Sequence, residues 1–324
     1  MTKEELKIVF FGTPDFAVES LAALVDGRYN IAAVVTMPDK ESGRGKKITP
    51  SAVKQYAISR GLRIMQPPNL KAPEFISELR AIEADLFIVI AFRMLPEAVW
   101  AMPPLGTFNL HASLLPRYRG AAPINRAVMN GDTTTGVTTF MLKHEIDTGD
   151  ILQQQAVEIL PEENVGDVHD KLMRLGAKLT IDTVDHIIAG DLRPIPQDEL
   201  IKDIEPLPAP KIFAEDCIID WSKPAIEVHN LVRGLSPYPA ARASLLTSDN
   251  SEACLVKIYS TAPIADDSPN TPPGTIIIDS GHMHVVCGDG KWLEIVELQQ
   301  AGKKRMATAD FLRGARLDNP VFMN

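Results

Sequence analysis

Residues 7–35 read KIVFFGTPDFAVESLAALVDGRYNIAAVV, and this stretch decides the fold class. A charged lead gives way to a continuous apolar run at 7–11, as in a parallel strand buried on both faces. Gly12 turns the chain. Thr13 is placed to cap a helix, Pro14 suits its first position, and Asp15 suits the positive end of the helix dipole. A helix to residue 26 and a second strand at 31–35 complete a β-α-β unit.

The pattern then repeats. Helices are predicted at 50–60 and 73–82, with strands at 63–65, 85–91 and 107–111. Alternation of this kind predicts an α/β domain with a mainly parallel sheet. Strands at 136–142 and 151–157 flank a charged loop. Val165, Val168, Leu172, Leu175 and Leu179 mark one face of an amphipathic helix over 164–188.

At 190 the texture changes. Residues 191–211, DLRPIPQDELIKDIEPLPAPK, are rich in proline and charge, as linkers are. Beyond lie a helical segment at 224–234 and alternating runs at 254–261, 274–279, 282–287 and 292–298. Ser280-Gly281 and Asp289-Gly290 punctuate these runs as hairpin turns, so a small all-β barrel or sandwich is expected, closed by a short helix after Thr308. The expected division is a first domain at 1–189, a linker at 190–208 and a second domain at 209–324.

Composition narrows the class. The 324 residues are 45% hydrophobic and 23% charged, enough to bury a core without staples. Three cysteines with no CxxC pair indicate neither a disulfide framework nor a cysteine-rich zinc site. No signal peptide and no long apolar run is present, so a cytoplasmic protein is expected. The net charge of −9 lowers the expectation of a nucleic-acid partner, although binding depends on where cations cluster.

Chemistry concentrates in TFNLHASLLPRYRGAAP, residues 107–123. On a strand, Asn109 and His111 point to one face and Phe108 and Leu110 to the other. Two hydrogen-bonding side chains at the carboxyl end of a parallel strand stand where open α/β sheets place ligands. Ser113-Leu114-Leu115-Pro116 follows, its leucines either an apolar wall for a flat ligand or a core plug. The loop at 144–150, HEIDTGD, holds three carboxylates and a histidine. A carboxylate there could orient His111; Asp147 is the candidate, with Asp150, Glu145 and His144 left open by spacing. A solvated charged hairpin is the plain alternative.

Taken together, Asn109, His111, SLLPRYRGAAP and Asp147-Thr148-Gly149 resemble the signature of the folate-dependent formyltransferases. FFGTPDFA at 10–17 and GRGKK at 43–47 resemble the members that act on methionyl-tRNA. Asp220-Trp221, GLSPYPAA at 234–241 and AGKK at 301–304 extend the likeness over nearly the whole chain.

The resemblance implies a Rossmann-like catalytic domain followed by a barrel resembling an OB-fold. It implies transfer of the formyl group of 10-formyltetrahydrofolate to the amino group of methionyl-initiator tRNA through a tetrahedral intermediate. Asn109 would donate to the formyl oxygen, His111 would stabilise the oxyanion, and Asp147 would orient His111 and help move protons. Ser113, Leu114, Leu115 and Pro116 would line the folate pocket with Ile90 and Ala91. Similar enzymes more often read Ala-Tyr-Gly where this chain has Ala91-Phe92-Arg93.

Arg44, Lys46 and Lys47 would approach the tRNA acceptor stem, and Lys303, Lys304 and Arg305 form the second domain's clearest basic cluster. No metal is expected, and a monomer is. The rival acceptors are a nucleotide-linked amino sugar and glycinamide ribonucleotide. A nicotinamide dehydrogenase lacks its GxGxxG loop at Gly12-Thr13-Pro14. A non-catalytic RNA-binding module would leave Asn109, His111 and Asp147 idle.

Overall fold

The computed structural model describes residues 1–42, 47–201, 204–246, 253–267, 271–315, 317 and 320–323. They form two compact units. The first comprises Met1–Gly120, Thr134–Glu158 and His169–Ala209, and the second Ala121–Thr133, Ile159–Val168 and Pro210–Asn324.

In the first unit, β1 (Ile8–Gly12), β2 (Ile31–Val35), β5 (Ile64–Met65), β6 (Leu86–Ile90) and β7 (Thr107–His111) are parallel. A small hairpin, β3 (Lys40–Ser42) and β4 (Lys47–Thr49), pairs separately. β9 (Thr134–Met141) runs antiparallel to β7, and β10 (Ile151–Glu158) antiparallel to β9. The sheet order is β10-β9-β7-β6-β1-β2-β5, so the connections reverse direction between β1 and β6. This is the Rossmann-like α/β sheet that the opening stretch predicts.

Every residue of β1 and β6 is buried, because helices cover both faces. Val9, Phe11, Val35, Phe87 and Val89 pack with Phe75 and Leu79 of α3 (Pro73–Arg80) and with Val99 of α4 (Glu97–Trp100). On the opposite face, Leu110 lies against Gly176 of α6 (Val165–Ala189), where an added Cβ would come within 2.6 Å of Leu110 Cδ2. α1 (Asp15–Asp26) and α2 (Ala52–Ser59) complete the layers. The start of α1 differs from expectation. Pro14 occupies the cap position with no side-chain cap bond, and the buried Thr13 Oγ1 has no hydrogen-bond partner among the described residues.

Residues 190–208 carry structure of their own. Ile195 exchanges backbone hydrogen bonds of 2.8 Å with Ile151. A short helix, α7 (Gln197–Leu200), follows, and β11 (Pro208–Ala209) pairs with β8 (Arg119–Gly120).

The second unit contains α5 (Pro123–Met129), α8 (Ala225–Leu235) and an antiparallel sheet. Its strands are β12 (Ala241–Leu246), β13 (Cys254–Asp267), β14 (Ile276–Asp279), β15 (His282–Val286), β16 (Lys291–Gln300) and β18 (Val321–Met323). The order is β14-β15-β16-β13-β12-β18, with β17 (Met306–Ala307) on β16 ahead of α9 (Thr308–Gly314). A bridge between Thr275 and Val321 joins the two ends, so the sheet is a nearly closed barrel. Its core is apolar: Trp221 stacks on Phe322 at 5.0 Å, and Val228, Val232 and Leu235 turn one face of α8 toward it.

Candidate active site

The site grows from the carboxyl end of β7. Asn109 pairs in register with Val89 and Phe140, and His111 with Thr138, so both side chains share one face of the sheet. Asn109 is half-buried and His111 is buried. His111 Nε2 lies 2.8 Å from the carbonyl oxygen of Tyr118. A carbonyl can only accept, so Nε2 carries the proton and Nδ1 faces elsewhere. Nδ1 lies 3.9 Å from Asp147 Oδ2. That separation exceeds a hydrogen bond, yet one heavy atom to the side can reach both groups.

The loop after β7 is bound to its neighbours at almost every residue. Ser113 Oγ donates to Arg117 O at 2.7 Å. Thr138 Oγ1 donates to Ser113 O at 2.7 Å and accepts from Leu115 N at 3.1 Å. Gln154 Nε2 donates to Leu115 O at 2.8 Å. Leu115 joins Phe140 and Ile151 in a small core cluster, so of the two readings of the leucines it is a plug. Tyr118, with φ of 62°, turns its carbonyl to His111.

Asp147 is fixed from both sides. Its Oδ2 accepts from Gly120 N at 2.9 Å. Gly120 sits at φ 127°, and a Cβ there would meet Ala209 O at 2.5 Å, so only glycine presents this amide. Asp147 itself has φ of 57°, a strained backbone of the kind found where geometry is over-determined. Two residues on, a Cβ on Gly149 would meet Met141 O at 1.5 Å. Two of the loop's other titratable groups turn elsewhere. Asp150 pairs with Lys143 at 2.7 Å and His144 with Glu97 at 3.3 Å.

Gln197, only 1% exposed, ties these parts together. Its Nε2 donates to the carbonyls of Asp147, at 2.9 Å, and Gly149, at 2.8 Å. Its Oε1 accepts from Arg119 Nε and Nη2 at 3.0 and 2.6 Å. All four hydrogen-bonding capacities of a primary amide serve one loop junction.

Comparison with known proteins identifies the family of the chain. The formyl transferase family matches residues 6–184, and the formyl transferase C-terminal domain matches 211–316. The methionyl-tRNA formyltransferase of Phocaeicola vulgatus is 57% identical over 320 residues, 98% of each chain. That of Bacteroides fragilis is 54% identical over 318 residues, covering 98% of this chain and 97% of its own. The chain belongs to the methionyl-tRNA formyltransferase family. Among solved structures, WlaRD, a sugar 3-N-formyltransferase crystallised with dTDP and 5-N-formyl-tetrahydrofolate, shares the fold. Its TM-score is 0.66 at 18% identity, with 92% of this chain and 99% of that chain covered.

Within this formyltransferase, the remaining candidates fall in different surroundings. Ile90, Ser113 and Pro116 are buried, Leu114 is half-buried, and Ala91 is exposed at φ 46° just past β6. The unusual Arg93 bonds to the carbonyls of Pro67 and Pro68, the latter at 2.9 Å, and burial holds its pKa below the ordinary value. Arg44 and Lys46 lie outside the described residues, and Lys47 begins β4. Lys303, Lys304 and Arg305 are exposed after β16, but Arg305 is ion-paired with Glu297 and lies 4.3 Å over the Tyr259 ring. Among the described residues no helix is long and apolar enough to cross a membrane.

Three participants have no sequence signature. The Tyr118 carbonyl belongs to every residue type, Thr138 reads as an ordinary strand residue, and Gln197 lies between the two family-matched stretches in sequence that resembles a linker.

Proposed function

We propose that this chain transfers the formyl group of 10-formyltetrahydrofolate to the amino group of methionyl-initiator tRNA, in translation initiation. The observation that carries the reading is the fixed imidazole: His111 Nε2 on the Tyr118 carbonyl, with Nδ1 3.9 Å from Asp147, two residues from Asn109 on one face of β7. The amine lone pair adds to the formyl carbon, and the carbonyl electrons move to oxygen. Asn109 donates from its amide, which stabilises the oxyanion without titrating, and His111, whose Nε2 already donates to the Tyr118 carbonyl, supports the same charge once Nδ1 also carries a proton. Asp147 takes the proton from the attacking nitrogen and relays it toward the leaving folate nitrogen, whose bond to carbon then breaks. This route asks for no metal.

The folate surface in this reading comprises Ile90 at the end of β6 and Ala91 just past it, with Ser113, Leu114, Leu115 and Pro116. Exposed Ala91 and half-buried Leu114 are its accessible side chains, while the inward groups hold the loop in shape. Arg44, Lys46, Lys47, Lys303 and Lys304 meet the tRNA backbone, where cations gain by releasing counterions. Engagement of Arg305 with Glu297 and Tyr259 leaves the two lysines as the leading contacts of that cluster. The domain division that goes with this is catalysis within 1–189 and tRNA support within 209–324, the segment 190–208 connecting them and carrying Gln197.

The test is incubation with 10-formyltetrahydrofolate and methionyl-initiator tRNA, followed by acid gel mobility of the acyl-tRNA. Enzyme-dependent formylmethionyl-tRNA supports the reading. Folate turnover on a nucleotide-linked amino sugar, with none on tRNA, would reassign the acceptor.

A further inference from the structure

The barrel sheet carries a second cluster of chemistry-bearing side chains. On β15, Met283 and Val285 are both 0% exposed in the core, so His282 and His284 project from the opposite face. Glu294 on β16 stands directly across from His284 in the antiparallel register. One donor atom from each of the three lies within 4.8 Å of the other two. His282 Nδ1 is 2.6 Å from Glu294 Oε1, and the imidazole centroids are 6.1 Å apart with planes inclined at 28°.

We propose that His282, His284 and Glu294 bind a divalent transition-metal ion, represented by zinc, on the outer face of the barrel sheet. Two imidazole nitrogens and one carboxylate oxygen suit zinc and its neighbours rather than magnesium or calcium, which take oxygen ligands. A His–Glu contact alone would be an ordinary surface ion pair. The second histidine, two residues along the same strand and opposite the same carboxylate, supplies the third corner that an ion pair does not need.

Metal–ligand distances of about 2.0–2.1 Å require the three donors to draw closer than they stand now. His282, with a side chain 59% exposed, has the rotamer freedom to do this. The strand ladder fixes the Cα positions meanwhile. Asp279 pairs in register with His282 from β14 and adds a further carboxylate to this face. The fourth coordination position is left to water or an outside ligand. An ion held this way staples β15 to β16, and none of its ligands belongs to the residues assigned to formyl transfer.

The experiment uses the full chain, stripped of metal by chelation and titrated with zinc chloride by calorimetry. Cobalt(II) serves as an optical probe. Trp292, whose ring is 6.5 Å from that of His284, reports through fluorescence quenching by cobalt. The expected result is one zinc ion per chain with micromolar affinity, weakened at least tenfold in His284→Ala and in Glu294→Gln. Binding should vanish in the combined His282→Ala/His284→Ala variant, whose metal-free Tm should match the parent. Zinc should raise the Tm of the parent by several degrees and leave that of the combined variant unchanged. Absence of saturable binding at one ion per chain would overturn the proposal. So would equal affinity in the combined variant, which would put the ion elsewhere.

Discussion

Both units have apolar cores, but the parallel-sheet unit buries the larger set of polar side chains. In the parallel-sheet unit, His111, Ser113, Thr138, Thr139, Thr183 and Gln197 are all nearly inaccessible, and each has a hydrogen-bond partner. In the barrel unit the interior is Trp221, Val256, Ile258, Met283, Leu293, Ile295 and Phe322. Apolar packing is non-directional and fills space. Buried polar groups are directional and become costly when a partner is lost, so they specify where atoms stand. In the proposed reading, the first unit fixes the reacting groups and the second presents a surface to tRNA.

The largest expected effect breaks the directional set at its centre. Asp147→Ala should lower the turnover rate of formyl transfer by about two to four orders of magnitude, with tRNA affinity little changed, as quenched time-course assays and filter binding would show. A matching loss of affinity would place Asp147 in binding instead.

Gln197 sharpens the comparison, because it acts through others. Gln197→Ala removes both donors that hold the Asp147 loop and should cost about 10- to 100-fold in kcat with KM for the folate nearly constant. Gln197→Glu keeps an acceptor for Arg119 but aims an oxygen at two carbonyls, so it should not rescue. Recovery of kcat in Gln197→Glu would mean that the Arg119 contact is what counts.

A polar exception in the barrel unit gives a smaller effect. His229 is bonded to Thr261 at 2.9 Å, and burial, with Arg233 adding to it, lowers its pKa below the ordinary 6.5. Its neutral form is favoured by folding. The stability this gives is therefore fully present above about pH 6.5 and is lost as pH falls through the lower folded value. Thermal melts at pH 7.5 and pH 5 should show a greater drop in Tm for the parent than for His229→Gln; equal drops would remove His229 from the account.

The smallest effect is read by alkylation of the native chain. Burial pushes the Cys287 thiol up to about 12, and it sits in the apolar core, whereas Cys254 is partly exposed. Iodoacetamide should modify Cys254 first and leave Cys287 intact until the barrel opens. Early modification of Cys287 would mean a looser core.

The same contrast explains what can be read in the sequence. Apolar periodicity gives β1, β6, β7 and α6 to within a residue or two, and the runs at 254–261, 282–287 and 292–298 mark the barrel. Burial writes itself into residue type, so these elements are legible. Asn109 and His111 are legible through strand alternation and the formyltransferase resemblance. Asp147 can be chosen among its neighbours only as a candidate, since a loop's conformation has no period. The Tyr118 carbonyl, the Gly120 amide and the α7 helix bearing Gln197 are hidden. Backbone groups carry no residue signature, and the charges flanking Pro194 and Pro196 read as linker. The proline-rich segment in fact holds Ile195 on β10, a tertiary pairing that local composition does not encode.

The most direct measurement compares single-turnover formyl transfer by the parent and His111→Ala at saturating folate and methionyl-initiator tRNA, with tRNA affinity determined in parallel. The account predicts that the rate of the chemical step falls by about two to four orders of magnitude while the Kd for tRNA stays within a few-fold. A chemical step left at the parent rate, or a loss confined to tRNA binding, would contradict a reaction centre at the end of β7.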